Sequence, residues 1–350
     1  MEKERKRKMQ QRVLGKTGLK VSELGFGGIP ILRLTTAEAV RVLRRAYDKG
    51  ITFYDTANAY RDSEEKFGLA FKGIRDKVVI ATKTMKRDAA GAMAQLENSL
   101  RMLQTDYVDL YQLHQIAQEK DWEAVTGPGG ALEALQKAKE AGKIRHIGVT
   151  SHSIPMAVKM VESGVFATIQ FPFNFIETEP RDKLHPVARE LGLGIIAMKP
   201  FAGGALDDAR LAFKFLRQYP DVIPIPGYDS EESVDEVAGF YDFPNEVSPE
   251  DLAAMERYRR ELGQQFCRRC EYCQPCPNGV RITPAMAYPV VAKRMSGKVA
   301  VEFSGAAMDT VPQCVECGVC VTRCPYELPI PELLRKHYEL YQAHRREAGK

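Results

Sequence analysis

The chain has 350 residues, enough for one domain of the 250-residue class with a small appendage, or for two medium domains. It is 44% hydrophobic and 27% charged, an ordinary globular composition; 50 basic against 46 acidic residues leave +4, too small an excess for a nucleic-acid surface. No apolar stretch approaches the roughly 20 residues that span a bilayer, so no membrane partner is expected and a cytoplasmic protein is.

The opening MEKERKRKMQQR has the basic front of a signal peptide. Only Val13 and Leu14 follow where an apolar run is needed, so it reads as a solvated tail. From there to residue 240, β-rich runs alternate with segments of helical period. The runs read as strands are Ser22–Phe26, Thr52–Asp55, Val78–Lys83, Val108–His114, His146–Thr150, Thr168–Phe171, Gly194–Met198 and Val222–Pro226. Several, such as VVIATK and GIIAM, are near-continuous apolar runs, the pattern of parallel strands covered by helices.

Between them, Thr35-Thr-Ala-Glu38 has capping-box spacing, and Ala39, Val40, Leu43, Ala46 and Tyr47 then share a helix face. Met93, Leu96, Leu100 and Leu103 recur at spacings of three and four, and Gly142 stands where a left-handed helix cap belongs. Eight β-then-α units predict a closed (β/α)8 TIM barrel over residues 12–247; an open doubly wound sheet is the alternative. Ser248 with Pro249 marks the start of a linker helix over 248–265. A small cysteine-bearing domain over 266–335 and a C-terminal tail over 336–350 follow, with ITPAMAYPVVAKRMSG read as one helix inside the small domain.

In such a barrel, chemistry sits at the C-terminal ends of the strands. Those positions hold Asp55, Tyr60 just beyond it, Lys83 and His114. Taken singly, each has a structural explanation: a turn cap, a packing ring, a solvated amine, a satisfied histidine. Taken together they form a coherent set. A tyrosine with its usual pKa near 10 is a poor acid at neutral pH, but a neighbouring ammonium favours its phenolate. Asp55 can supply the counter-charge that a buried Lys83 needs, and His114 can donate to a substrate oxygen.

All eight cysteines lie between Cys267 and Cys324. Cys314, Cys317, Cys320 and Cys324 follow C-x2-C-x2-C-x3-C-P, the spacing of bacterial-type [4Fe–4S] ferredoxins, in which the fourth cysteine ligates the partner cluster. Cys267, Cys270, Cys273 and Cys276 repeat it one residue shorter before the last cysteine and keep the proline. Zinc is the alternative, but its sites favour separated pairs around one ion. Two [4Fe–4S] clusters are expected, making 266–335 a ferredoxin-like iron–sulfur domain. Either Cys324 joins the first run and Cys276 the second, or the shorter run closes on Cys276.

At the rim residues the chain resembles the aldo-keto reductase family. VLGKTGLKVSELGFGG is similar to its opening hairpin and first strand, and FYDTANAY, ATKT, LYQLH, GKIRHIGVTSHS and VIPIPG to its successive motifs, over roughly residues 12–240. The resemblance implies a catalytic tetrad of Asp55, Tyr60, Lys83 and His114, with Tyr60 as general acid or base and hydride passing to or from a nicotinamide at the barrel mouth. It implies cofactor contacts from Thr150, Ser151 and Gln170 (the carboxamide), and from Met198, Pro200, Phe201, Gly227 and Ser233. Ser151 stands where many members have Asn, and Met198 where many stack a Tyr on the ring. The basic residues that members use on the 2′-phosphate of NADP are missing after the eighth strand, where Asp229, Glu231 and Glu232 stand instead. These acids favour NADH over NADPH, the alternative being that they only cap the next helix.

The function expected is an oxidoreductase interconverting a small-molecule carbonyl and an alcohol, with two clusters exchanging electrons with the barrel or a redox partner protein. A redox-sensing or partner-docking regulator on the same barrel is one alternative. A flavin-mediated reductase fed by the clusters is the other, because hydride moves two electrons and each cluster one.

Overall fold

The structure is a computed structural model and describes residues 9–263 and 265–349. Most of the basic opening segment, residues 1–8, lies outside the described residues. Contacts divide the chain into two compact units: the residues up to Phe201 with Asp208–Val247, and Ala202–Asp207 with the chain from Ser248 on.

In the first unit an antiparallel hairpin, β1 (Gln11–Val13) and β2 (Lys20–Ser22), precedes eight parallel strands paired in chain order. These are β3 (Gly25–Gly27), β4 (Phe53–Asp55), β5 (Val79–Thr84), β6 (Val108–Leu113), β7 (Ile144–Thr150), β8 (Thr168–Pro172), β9 (Gly194–Met198) and β10 (Val222–Pro224). The ring closes where Gly27 bridges to Gly227 and its N–H donates to the Pro226 carbonyl at 2.6 Å. The eight expected strands are present and the barrel, not the open sheet, is the fold. The first run divides: Ser22 belongs to the hairpin and the barrel strand starts at Gly25.

Alternation along the strands builds layers. Phe53, Ala81, Leu110, Ile196 and Ile223, with Leu14 and Val21 of the hairpin region, form one buried apolar cluster. Two residues further along four of those strands come Asp55, Lys83, Gln112 and Met198. A dry apolar layer thus lies beneath a polar one. Gly148 of β7 permits this packing, since a Cβ there would lie 2.3 Å from the Thr168 hydroxyl and 3.1 Å from the Gln112 side chain.

The covering helices are α1 (Thr36–Asp48), α2 (Ser63–Phe71), α3 (Ala89–Leu103), α4 (Glu119–Thr126), α5 (Ala131–Glu140), α6 (Ile154–Glu162), α7 (Glu179–Lys183), α8 (His185–Glu190), α9 (Ala209–Leu216) and α10 (Glu231–Gly239). The Thr35–Glu38 capping box starts α1. This helix buries Ala39, Val42, Leu43 and Ala46, while Val40 and Tyr47 are only half-buried. Gly142 takes the left-handed conformation after α5, with φ 76°.

The second unit has no strand among the described residues. It comprises α11 (Pro249–Gly263), α12 (Ile282–Met286), α13 (Tyr288–Met295), α14 (Gly297–Met308), α15 (Val319–Thr322) and α16 (Ile330–Glu347). Ser248 caps α11 by accepting the Asp251 N–H at 3.2 Å; Gln264, near the end of the expected linker, lies outside the described residues. Two expectations change. The single helix between the cysteine runs is three, because Pro289 starts α13 and Ser296, at φ 82°, ends it. The segment from 336 is not a tail but most of α16, whose Ile330, Leu333, Leu334 and Tyr341 join a core with Val280, Ile282, Met286, Tyr288 and Met308. No helix among the described residues is long and apolar enough to cross a membrane.

Candidate functional site

The polar layer of the barrel converges on Asp55. Its Oδ1 lies 2.5 Å from Lys83 Nζ, and its Oδ2 accepts from Gln112 Nε2 at 3.1 Å. Gln170 Nε2 approaches Oδ1 at 3.5 Å, and Lys83 also donates to the Thr56 carbonyl at 2.6 Å. Burial pushes the Asp55 carboxyl up, against the pull of Lys83 and the two amides.

Tyr60 sits in the turn between β4 and α2, its N–H bonded to the Ala57 carbonyl at 2.9 Å, with Arg61 next in a left-handed conformation (φ 39°). Lys83 Nζ stands 5.2 Å from the centre of the Tyr60 ring, and the His114 ring meets it edge-on at 5.8 Å. Burial, and then the positive charges of Lys83 and Arg87, hold the His114 pKa far below the usual histidine range, so the imidazole is neutral at pH 7. The fold therefore brings Asp55, Tyr60, Lys83 and His114 together.

Three buried polar atoms of this layer lack a hydrogen-bond partner: His114 Nδ1, Gln112 Oε1 and Gln170 Oε1. Each such atom costs about 1–3 kcal/mol unless something fills it. Gln170 Oε1 suits the N–H of a carboxamide, so the layer fits a nicotinamide at that atom. The other expected contacts are more occupied. Thr150 Oγ1 accepts the Gln115 N–H at 2.8 Å; Ser151 Oγ donates to the Ile116 carbonyl at 2.7 Å and accepts the Ser153 N–H at 3.1 Å. Ser233 closes a capping box with Ser230 at the start of α10. Met198 packs beside the apolar layer, Phe201 meets the Phe213 ring at 5.8 Å, and a Cβ on Gly227 would strike Pro30 at 2.4 Å. Pro200 is buried.

The acids after β10 are less of a negative patch than the sequence suggests. Asp229 pairs with Arg33 at 2.9 Å and Glu231 with Arg41 at 3.6 Å, while Glu231 and Glu232 occupy the first turn of α10. With Asp229 and Glu231 paired to Arg33 and Arg41, from the first part of the barrel sequence, their charge gives no preference for NADH. Gln112 was not foreseen, although a glutamine continuing the alternate series Val108, Leu110 in VDLYQL is a signal.

In the second unit the cysteines ring two cavities. One is lined by Cys267, Cys270, Cys273 and Cys324, the other by Cys276, Cys314, Cys317 and Cys320 with Cys273 in its wall. Burial raises the thiols of Cys270 and Cys273 to about 11 and about 12, so these two need a strongly cationic group to hold them as thiolates. Among the described residues no three His, Cys, Asp or Glu side chains close on a single metal ion. Soft thiolates spread around a cavity suit a multi-atom iron–sulfur core.

The aldo/keto reductase family model matches residues 23–212, and a 4Fe-4S dicluster domain model matches residues 266–329. The aldo-keto reductase YhdN of Bacillus subtilis (strain 168) is 34% identical over 202 residues, 52% of this chain and 59% of its own length, so the chain spans under two thirds of that relative. L-galactose dehydrogenase of Arabidopsis thaliana is 30% identical over 220 residues, 57% of this chain and 68% of its own. Among solved structures, an aldo/keto reductase from Klebsiella pneumoniae in complex with NADP and acetate superposes with TM-score 0.60 at 28% identity, covering 72% of this chain and 96% of that one. Holo AKR11C1 from Bacillus halodurans shares the fold at TM-score 0.61 and 24% identity, over 71% and 96%.

Proposed function

The chain belongs to the aldo/keto reductase family, and from that premise we propose that its barrel interconverts a small carbonyl and its alcohol with a nicotinamide cofactor, while its cysteine unit holds two [4Fe–4S] clusters. The observation that carries the first half is the buried Asp55–Lys83 pair beside Tyr60 and a neutral His114.

When bound, the nicotinamide supplies or takes the hydride. In the reducing direction Tyr60 gives its hydroxyl proton to the carbonyl oxygen, and the ammonium of Lys83 stabilises the phenolate left behind until water reprotonates it. Asp55 keeps Lys83 charged and in place. His114 donates from Nε2 to the same oxygen, aligning the carbon with the cofactor. Gln170 Oε1 receives the carboxamide. The Klebsiella relative crystallised with NADP supports a nicotinamide, without separating NADH from NADPH.

In the cysteine unit, Cys267, Cys270, Cys273 and Cys324 hold one cluster and Cys276, Cys314, Cys317 and Cys320 the other, supported by the two cavities they line. Residues 266–350 carry 12 basic and 8 acidic side chains, so the chain's whole excess of +4 resides there. Two oxidised clusters, each about −2 with its four thiolates, offset it. The clusters pass electrons singly to or from a redox partner protein, so linking them to the barrel takes a carrier able to move one electron or two, such as a flavin.

Replacing Tyr60 by Phe tests the barrel half. Carbonyl reduction falls by about 10²- to 10⁴-fold while nucleotide binding persists; a Tyr60→Phe protein as active as the parent overturns the reading.

A further inference from the structure

Beside Lys83 lies a second buried carboxylate that the mechanism above does not use. Glu64, near the start of α2, is 2% exposed and makes no ion pair among the described residues. An isolated buried carboxylate is costly, and its retention asks what it holds.

Its two oxygens reach the segments on either side of the proton donor. Oε1 accepts from the Thr82 hydroxyl at 2.5 Å, and Thr82 immediately precedes Lys83 on β5. Oε2 accepts from Asn58 Nδ2 at 3.3 Å, and Asn58 lies two residues before Tyr60. The Asn58 N–H in turn donates to the Lys83 carbonyl at 3.1 Å, while the N–H of Ser63, next to Glu64, donates to the Tyr60 carbonyl at 2.8 Å.

We propose that Glu64 is a positioning residue that clamps the Tyr60 turn to the Lys83 strand and adds a second buried negative charge behind the ammonium; this rests on the catalytic reading of Tyr60 and Lys83. Burial pushes the Glu64 carboxyl up, opposed by Thr82, Ser99, Asn58 and the charge of Lys83. Lys83 acts on Asp55 of β4, on Glu64 of α2 and on the neutral His114, which also feels Arg87, while Tyr111 of β6 feels Glu64. Of the two acids, Glu64 is the one whose removal leaves the Lys83–Asp55 contact intact. Its negative charge opposes formation of the Tyr60 phenolate, so losing it eases that ionisation. Glutamine keeps one acceptor oxygen and loses the charge: it holds Asn58 through that oxygen only if the Thr82 hydroxyl turns from donor to acceptor toward the new N–H.

The test uses the full chain with Glu64→Gln, Glu64→Asp and Tyr60→Phe, and the double variants Glu64→Gln/Tyr60→Phe and Glu64→Asp/Tyr60→Phe. Turnover of 4-nitrobenzaldehyde with reduced nicotinamide is followed across pH. Phenolate absorbance, read as the difference between each protein and its Tyr60→Phe counterpart, reports Tyr60 without turnover. Glu64→Gln is expected to lower kcat about 10- to 100-fold with the aldehyde KM within about twofold, and to shift the pH profile and the phenolate titration to lower pH. Glu64→Asp, which keeps the charge, restores the titration. A folded Glu64→Gln protein whose profile and titration match the parent overturns the proposal even if kcat falls. An active Tyr60→Phe protein sinks the catalytic reading instead, and the absorbance arm still decides the clamp.

Discussion

Lys83 Nζ lies 2.5 Å from Asp55 Oδ1, and the two side chains are 1% and 4% exposed. Neither charge has water to fall back on, so each is tolerable only because the other is there. Removing one leaves the other stranded, at about 3–5 kcal/mol. Lys83→Met should therefore destabilise the barrel by about that much, whereas Asp55→Asn/Lys83→Met should recover most of the loss, both being inactive. Urea unfolding followed in the barrel transition checks this; a single variant as stable as the double would show that the pair is not coupled.

Acid should weaken the barrel through its buried histidines. Burial holds His185 at about 4 and His114 well below its ordinary value. As pH falls below about 6.5, the unfolded chain takes up protons that the folded barrel refuses. The stability these two contribute is full above that pH and is lost on the way down. For His185 alone the loss between pH 7.5 and 5 is about 2 kcal/mol. His185→Gln should flatten the fall in urea midpoint over this window; an unchanged slope would assign acid sensitivity elsewhere.

The strand pattern and the strand-end groups Asp55 and Lys83 were legible because both follow from alternation: in FYD and VIATKT, polar residues continue the inward-facing series begun by Phe53 and Ala81. What escaped depends on residues far apart in sequence. Arg33 and Asp229 are 196 positions apart, and nothing near Asp229 announces its cation. Glu64 reads locally as an acid favouring a helix N-terminus, and only the packing of α2 against β5 turns it inward. The α16 stripe was readable, with Ile330, Leu333 and Leu334 at helical spacing, but the charge-rich stretch after 335 masked Tyr341. Pro289 divides a segment whose apolar content alone suggests one helix.

The electron mismatch between the two units predicts a particular cofactor inventory. Purified without oxygen, the chain should carry about eight iron atoms and matching acid-labile sulfide, with reduced clusters visible by electron paramagnetic resonance after dithionite. If the chain itself bridges hydride and single-electron chemistry, denaturation should release a flavin. If the bridge is on the partner, no flavin is released, and reduced nicotinamide alone should leave the clusters oxidised until a one-electron carrier is added. Clusters reduced by nicotinamide alone, in a flavin-free protein, would contradict both.

The two ways of sharing the cysteines make opposite predictions for paired replacements. The first cavity joins Cys324 to Cys267, Cys270 and Cys273, and the Cys270 thiol is perturbed by charges at Cys267 and Cys324; Cys320 in the second cavity is perturbed by Cys314 and Cys317. On this sharing, Cys270→Ser/Cys324→Ser removes two ligands of one cluster and should leave about four iron atoms per chain, while Cys270→Ser/Cys276→Ser strikes both clusters. Local closure of the shorter run on Cys276 reverses the outcomes. Iron and sulfide counts on the two double variants, with circular dichroism to confirm that each has folded, therefore decide the sharing whatever electrons the clusters carry.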